Sequence, residues 1–163
     1  MNTITLIIIN NIVLLIIIAL IIITIFVLRN KLFKLWHQVS RLELIFHKNL
    51  IETFHMYQIN ASVLEDFPVY KSLSAFTPKN NKKFRQLKLA DRQKLFKNLQ
   101  KIYAEIYTLE DEKYKPLKKQ FETLQECRLK YNSKVLLYNQ RIHTFPLKII
   151  AKRMNFFPKE YFG

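Results

Sequence analysis

The first 28 residues carry no charged side chain. Leu6 to Leu28 reads LIIINNIVLLIIIALIIITIFVL. As a helix these residues extend about 35 Å at ~1.5 Å per residue, enough for a hydrocarbon core of about 30 Å. The uninterrupted part, Ile12–Leu28, gives about 26 Å by the same rise. So many isoleucines would favour a strand in water. In lipid every backbone N–H and C=O must be bonded within the segment, so a helix is expected over 6–28. Asn10 and Asn11 interrupt the run near its outer end. They are expected at the lipid–water boundary, the alternative being a polar contact with another transmembrane helix.

A cleaved signal peptide needs a basic start, a shorter apolar stretch and a small-residue cleavage site. Met1–Thr5 has no basic side chain, and Arg29-Asn30-Lys31 follows the apolar run. An uncleaved anchor is therefore expected. Arg29, Lys31 and Lys34 lie directly after it, with Arg41 near, so the positive-inside rule places residues 1–5 outside the plasma membrane and 29–163 in the cytoplasm.

The remainder is a different material. All 39 charged side chains, 27 Lys or Arg and 12 Asp or Glu, fall in residues 29–163, so that segment carries the whole formal charge of +15. The single glycine is Gly163. Without glycine-rich loops there is no P-loop or dinucleotide fingerprint and no glycine-turn β-architecture. Cys127 alone can form neither an internal disulfide nor a cysteine zinc cluster.

Apolar residues beyond the span recur every three to four positions, a helical period. One run holds Leu32, Leu35 or Trp36, Val39, Leu42, Ile45 or Phe46, Leu50, Phe54 and Tyr57, with no Pro or Gly between it and the membrane segment. A second runs from Phe84 to Leu109, and a third from Leu117 to Phe145 with Pro116 near its first turn and Pro146 at its end. Pro68 and Pro78 bracket a linker, with a short fourth helix in 60–76 as an option. The expected fold is all-α: a transmembrane helix, then an antiparallel up-and-down bundle of three to four long helices over 29–146. The helices are placed at about 29–66, 82–113 and 117–145, with an irregular tail, 147–163, packed on the bundle.

Lys79, Lys82, Lys83, Arg85, Lys88, Arg92, Lys94, Lys97 and Lys101 form a basic stretch broken only by Asp91. A solvated helix face explains such a run most simply. In a membrane-tethered domain it also suits anionic headgroups of the inner leaflet, at about 1 kcal/mol per Lys or Arg that reaches the surface. Nucleic acid is the weakest partner class, because Phe84 and Phe96 sit at core spacing rather than as a stacking platform.

The C-terminal third carries a resemblance. Tyr131-Asn132, Val135, Tyr138-Asn139, Ile142 and Phe145-Pro146, with Ala151, Phe156 and Tyr161-Phe162 beyond, are similar to the end of the LemA family, where Y-N-x-x-V-x-x-Y-N-x-x-I-x-x-F-P leads into an irregular tail. Arg29-Asn30, Trp36 and Asn49-Leu50-Ile51-Glu52-Thr53 with Tyr57 resemble the family's front motif. Lys48 stands where the family usually has Pro, Met56 where it has Gly, and Thr108 where it has the Pro of a Y-P-x-L element. The resemblance implies a single N-terminal membrane helix and an up-and-down bundle associated with bacterial membranes. It implies no enzymatic activity, cofactor or catalytic residue.

The residues alone read consistently with this. Tyr131, Tyr138 and Phe145 are seven apart and share a stripe expected in the core, with Asn132 and Asn139 flanking it. The two Asn are expected to make interhelical hydrogen bonds that set register, the alternative being a small polar site for a ligand or partner. Trp36 and Phe33 are expected near the headgroups. His37, His47, His55 and His143 form no metal-binding motif, although His47 and His55 with Glu43 and Glu52 leave a carboxylate–imidazole site as a weaker option. Cys127 reads as a small buried hydrophobe. Glu105, Glu110, Asp111 and Glu112, beside Lys113 and Lys115, read as a solvated helix end. The expected function is a non-catalytic scaffold or interaction module at the membrane, meeting lipid, a protein partner or itself. The alternative is a regulatory subunit that docks an enzyme or secretion complex.

Overall fold

A computed structural model describes residues 3–74 and 88–163. Every regular element among them is helical. We number the helices α1 (Thr3–Ile59), α2 (Ala61–Leu64), α3 (Pro68–Ser74), α4 (Leu89–Tyr107), α5 (Lys115–His143) and α6 (Leu147–Arg153), with a 3-10 turn at Glu112–Tyr114.

Helix α1 has 57 residues and is continuous from the apolar segment into the charged part of the chain. It is about 85 Å long by helical rise. Among the described residues it is the one helix long and apolar enough to cross a membrane. Every large apolar side chain from Ile7 to Val27 is exposed. The helix stops at Ile59, short of the expected 66. Asn60 leaves helical geometry (φ −94°, ψ 30°), and its side-chain amide donates to the Met56 carbonyl at 2.8 Å. Asparagine competes with the helix by this local bond. Pro68 opens α3, where a missing N–H costs least.

The start expected for the second long helix, 82, lies outside the described residues, and α4 ends at Tyr107 rather than 113. Asp111 then caps the 3-10 turn by accepting the Lys113 backbone N–H at 3.1 Å. The tail is not wholly irregular as expected: α6 occupies its first seven residues. Helix α5 ends at His143, and Phe145, expected in the core stripe, is 77% exposed. With Pro146 disfavouring helix at the residue before it, the 3.6-residue period no longer positions that ring.

The chain forms two compact units, Met1–Val39 with Val135–Glu160, and Ser40–Lys134 with Tyr161–Gly163. In the second, Phe46 is the hub. Its ring lies 4.4 Å from Phe162, 6.2 Å from Tyr131 and 6.4 Å from Phe96, centroid to centroid. Phe121 stacks on Phe96 at 5.8 Å and on Tyr103 at 4.6 Å. Burying such a ring stabilises by about 1.5–3 kcal/mol. Contacts give the helix directions. Tyr57 reaches the Leu117 carbonyl and Phe46 meets Tyr131, so α5 runs against α1. Tyr103 meets Glu122 and Arg128 lies over Phe96, so α5 also runs against α4. Helices α1 and α4 therefore share a direction, and these three do not alternate. Helix α3 packs on α4.

In the other unit, Leu32 and Val39 of α1 are buried, as are Val135, Tyr138 and Ile142 of α5 and Ala151 of α6. Trp36 stacks with Phe33 at 6.3 Å and meets Phe156 at 6.0 Å.

Candidate functional site

The C-terminal motif is where several expected residues act as a set. Asn132 donates from Nδ2 to the Phe162 carbonyl at 2.8 Å and accepts the Phe162 N–H at Oδ1 at 2.9 Å. Asn139 repeats this on Lys159, at 2.8 and 2.9 Å. Each carboxamide matches one residue's N–H and C=O, as a neighbouring strand would. The interhelical bonds expected of these two Asn are thus replaced by clamps on the chain's own tail. Seven residues of helix advance about 10.5 Å, and three residues of extended chain about 10 Å, so the helical spacing suits the spacing of 159 and 162. Between the clamped positions' counterparts, Tyr138 donates its hydroxyl to the Phe157 carbonyl at 3.0 Å. Tyr131, Val135, Tyr138 and Ile142 are buried.

The remaining motif residues do not join this set. Asn49 donates to the Ile45 carbonyl of its own helix at 2.9 Å. Glu52 is exposed and pairs with Lys48 at 3.6 Å. Pro146 precedes α6 at the surface.

Lys79, Lys82, Lys83 and Arg85 of the basic stretch lie outside the described residues. Lys88 sits just before α4 and is exposed. Lys94, Lys97 and Lys101 are exposed at three- and four-residue spacing, which makes one stripe of α4. Leu95, Leu99, Ile102 and Ile106 form its buried face. Arg92 departs from the expected solvent face: it is half-buried and bonded to the His47 ring. Arg29, Lys31 and Lys34 are exposed on α1 just past the apolar segment, and Trp36 is half-buried.

Two contacts bring together residues that the motifs do not mark. Thr53 is fully buried, donates to the Asn49 carbonyl at 2.7 Å, and accepts from Gln120 at 3.3 Å. Its position between Leu50 and Phe54 on the apolar face was the available signal. Arg128 covers Phe96 with its guanidinium 5.1 Å from the ring; nothing in the spacing marks that pair.

No activated nucleophile emerges from these groups. Cys127, expected to be a buried hydrophobe, is half-buried; partial burial pushes its thiol up, with Lys130 opposing it. Burial, and then Tyr103, pushes the Tyr57 hydroxyl well above its usual range. Among the described residues no three His, Cys, Asp or Glu side chains gather as metal ligands would. Asp111 is held below the usual carboxylate range first by the Lys113 backbone N–H and then by the Lys113 side chain, which is turn chemistry. Comparison with known protein families, characterised proteins and solved structures returns no match for this chain.

Proposed function

We propose that this is a single-pass membrane protein of the LemA type, whose helical bundle serves as a non-catalytic scaffold or interaction module on the cytoplasmic side of the plasma membrane. The observation that carries this reading is α1 itself. One helix without a break holds an exposed apolar segment of membrane length and the Phe46 core position. The LemA resemblance supports the reading through the Tyr-Asn repeats, both of whose Asn perform one structural task. The stripe of Lys94, Lys97 and Lys101 supports attraction to anionic headgroups. Docking of a protein partner is the alternative, favoured by Leu44 and Leu129, which are 66% and 60% exposed.

Topology tests the reading. In a Cys127→Ser background, Ser133→Cys puts one thiol on an exposed position of α5. Labelling of that thiol by a membrane-impermeant maleimide only after cells are opened is the expected result. Labelling in intact cells would put the bundle outside and end the inner-leaflet proposal.

A further inference from the structure

The apolar half of α1 nearest the charged domain is flanked by the chain's own C-terminal segment. Ile17, Ile21 and Ile25 of α1 line one wall of a cleft of about 470 Å³, and Phe145, Ile149 and Ile150 line the other. That volume is within the ~300–1,000 Å³ of small-molecule sites. The cleft has almost nothing for a polar ligand to read. Thr24 reaches it, but its hydroxyl already donates to the Leu20 carbonyl at 2.8 Å. Arg153 is the one charged residue in its lining.

The cleft runs from Ile17 to Leu28, about 16 Å along the helix. That is close to one leaflet of a ~30 Å hydrocarbon core. At Leu28 it meets a second cleft of about 360 Å³. Lys31, Lys34, Gln38 and Arg141 line this one. Leu28, Lys31, Leu35 and Gln38 continue the stripe of Ile17, Ile21 and Thr24, so both clefts lie on the same face of α1. Arg153 aside, apolar walls at leaflet depth therefore give way to a rim with three cations at headgroup depth.

We infer that the two clefts together hold one anionic phospholipid. An acyl chain lies between the α1 stripe and Phe145–Ile150, and the phosphate sits among Lys31, Lys34 and Arg141. Continuity with the membrane segment and the change from hydrocarbon to positive charge select this occupant over a soluble ligand. Phe145 and Ile149, 77% and 55% exposed, become lipid-embedded anchors. The inference rests on residues 6–28 spanning the membrane.

The test uses the full chain, inserted in membranes of equal parts phosphatidylcholine and phosphatidylglycerol, extracted in mild detergent and examined by native mass spectrometry. One retained phosphatidylglycerol per chain is expected. Ile21→Trp and Ile149→Trp, which fill the cleft from opposite walls at exposed positions, should each abolish retention. Arg141→Gln should lower the preference for phosphatidylglycerol about fivefold, the equivalent of ~1 kcal/mol per basic side chain at the surface. Equal retention of both lipids, or none, overturns the site. So does a dimer that Ile21→Trp dissociates, which would make a second copy the occupant. An alkaline carbonate wash separates the two failures. A chain released by the wash loses its anchor reading, whereas a chain that stays without selective lipid loses only the site.

Discussion

Asn132 holds Phe162 by both backbone polar groups, donating to its carbonyl at 2.8 Å and accepting its N–H at 2.9 Å. This fixes the ring of Phe162, 1% exposed, against Phe46 and Phe96. A side chain thirty residues away thus decides whether the end of the chain closes the core.

Asn132→Ala should therefore destabilise more than a surface change. It strands two backbone groups, each at about 1–3 kcal/mol if left unsatisfied. Asn139→Ala should act likewise on Lys159. Asn132→Asp keeps the acceptor and loses the donor, so the Phe162 amide should stay protected while stability still falls. Thermal melts with amide hydrogen exchange at 159 and 162 test this. Unchanged melting for both alanine variants would show that the clamps contribute nothing to the fold.

Two phenylalanines should behave oppositely. Phe46→Ala leaves a cavity under three rings and should cost about 3–5 kcal/mol. Phe145→Ala removes a ring from the surface and should leave the melting temperature in place, while weakening attachment of the C-terminal segment to lipid. Comparing melts with quenching by bromolipids of a Phe145→Trp, Trp36→Phe protein separates the two effects.

Tyr57 predicts alkaline behaviour. Its hydroxyl donates to the Leu117 carbonyl at 3.4 Å inside the core, and burial raises its folded-state pKa. A raised folded pKa means that the stabilisation is fully present below the unfolded value of about 10 and is lost as pH rises towards the folded one. Tyr57→Phe should flatten this alkaline loss, read by circular dichroism alongside absorbance of tyrosinate.

Cys127 should be a slow nucleophile. Its thiol is pushed up by burial, so little thiolate exists at neutral pH. Alkylation of the folded protein should lag a free-cysteine control at pH 7 and keep accelerating past the control's plateau as pH rises. Rates equal to the control at pH 7 would contradict a raised thiol pKa.

Much of the outline was legible because it depends on local periodicity and solvent preference. The uncharged run of 6–28 calls for a helix in lipid whatever surrounds it, and the absence of Pro and Gly up to residue 67 allowed that helix to continue. Spacing marked one face from Leu32 to Tyr57: Leu32, Val39, Phe46, Leu50, Phe54 and Tyr57 are buried, Leu35, Trp36 and Leu42 are half-buried, and Ile45 is exposed. What the tertiary structure alone decided concerns partners far apart in the chain. Spacing put Asn132 and Asn139 beside the core seam, but only the folded chain shows that their amides face the backbone of 159 and 162 instead of another helix. Spacing also placed Phe145 in the core, and the end of α5 at His143 put it outside. A period reports which residues share a face while the helix lasts. What that face meets depends on long-range packing, to which a local pattern is blind.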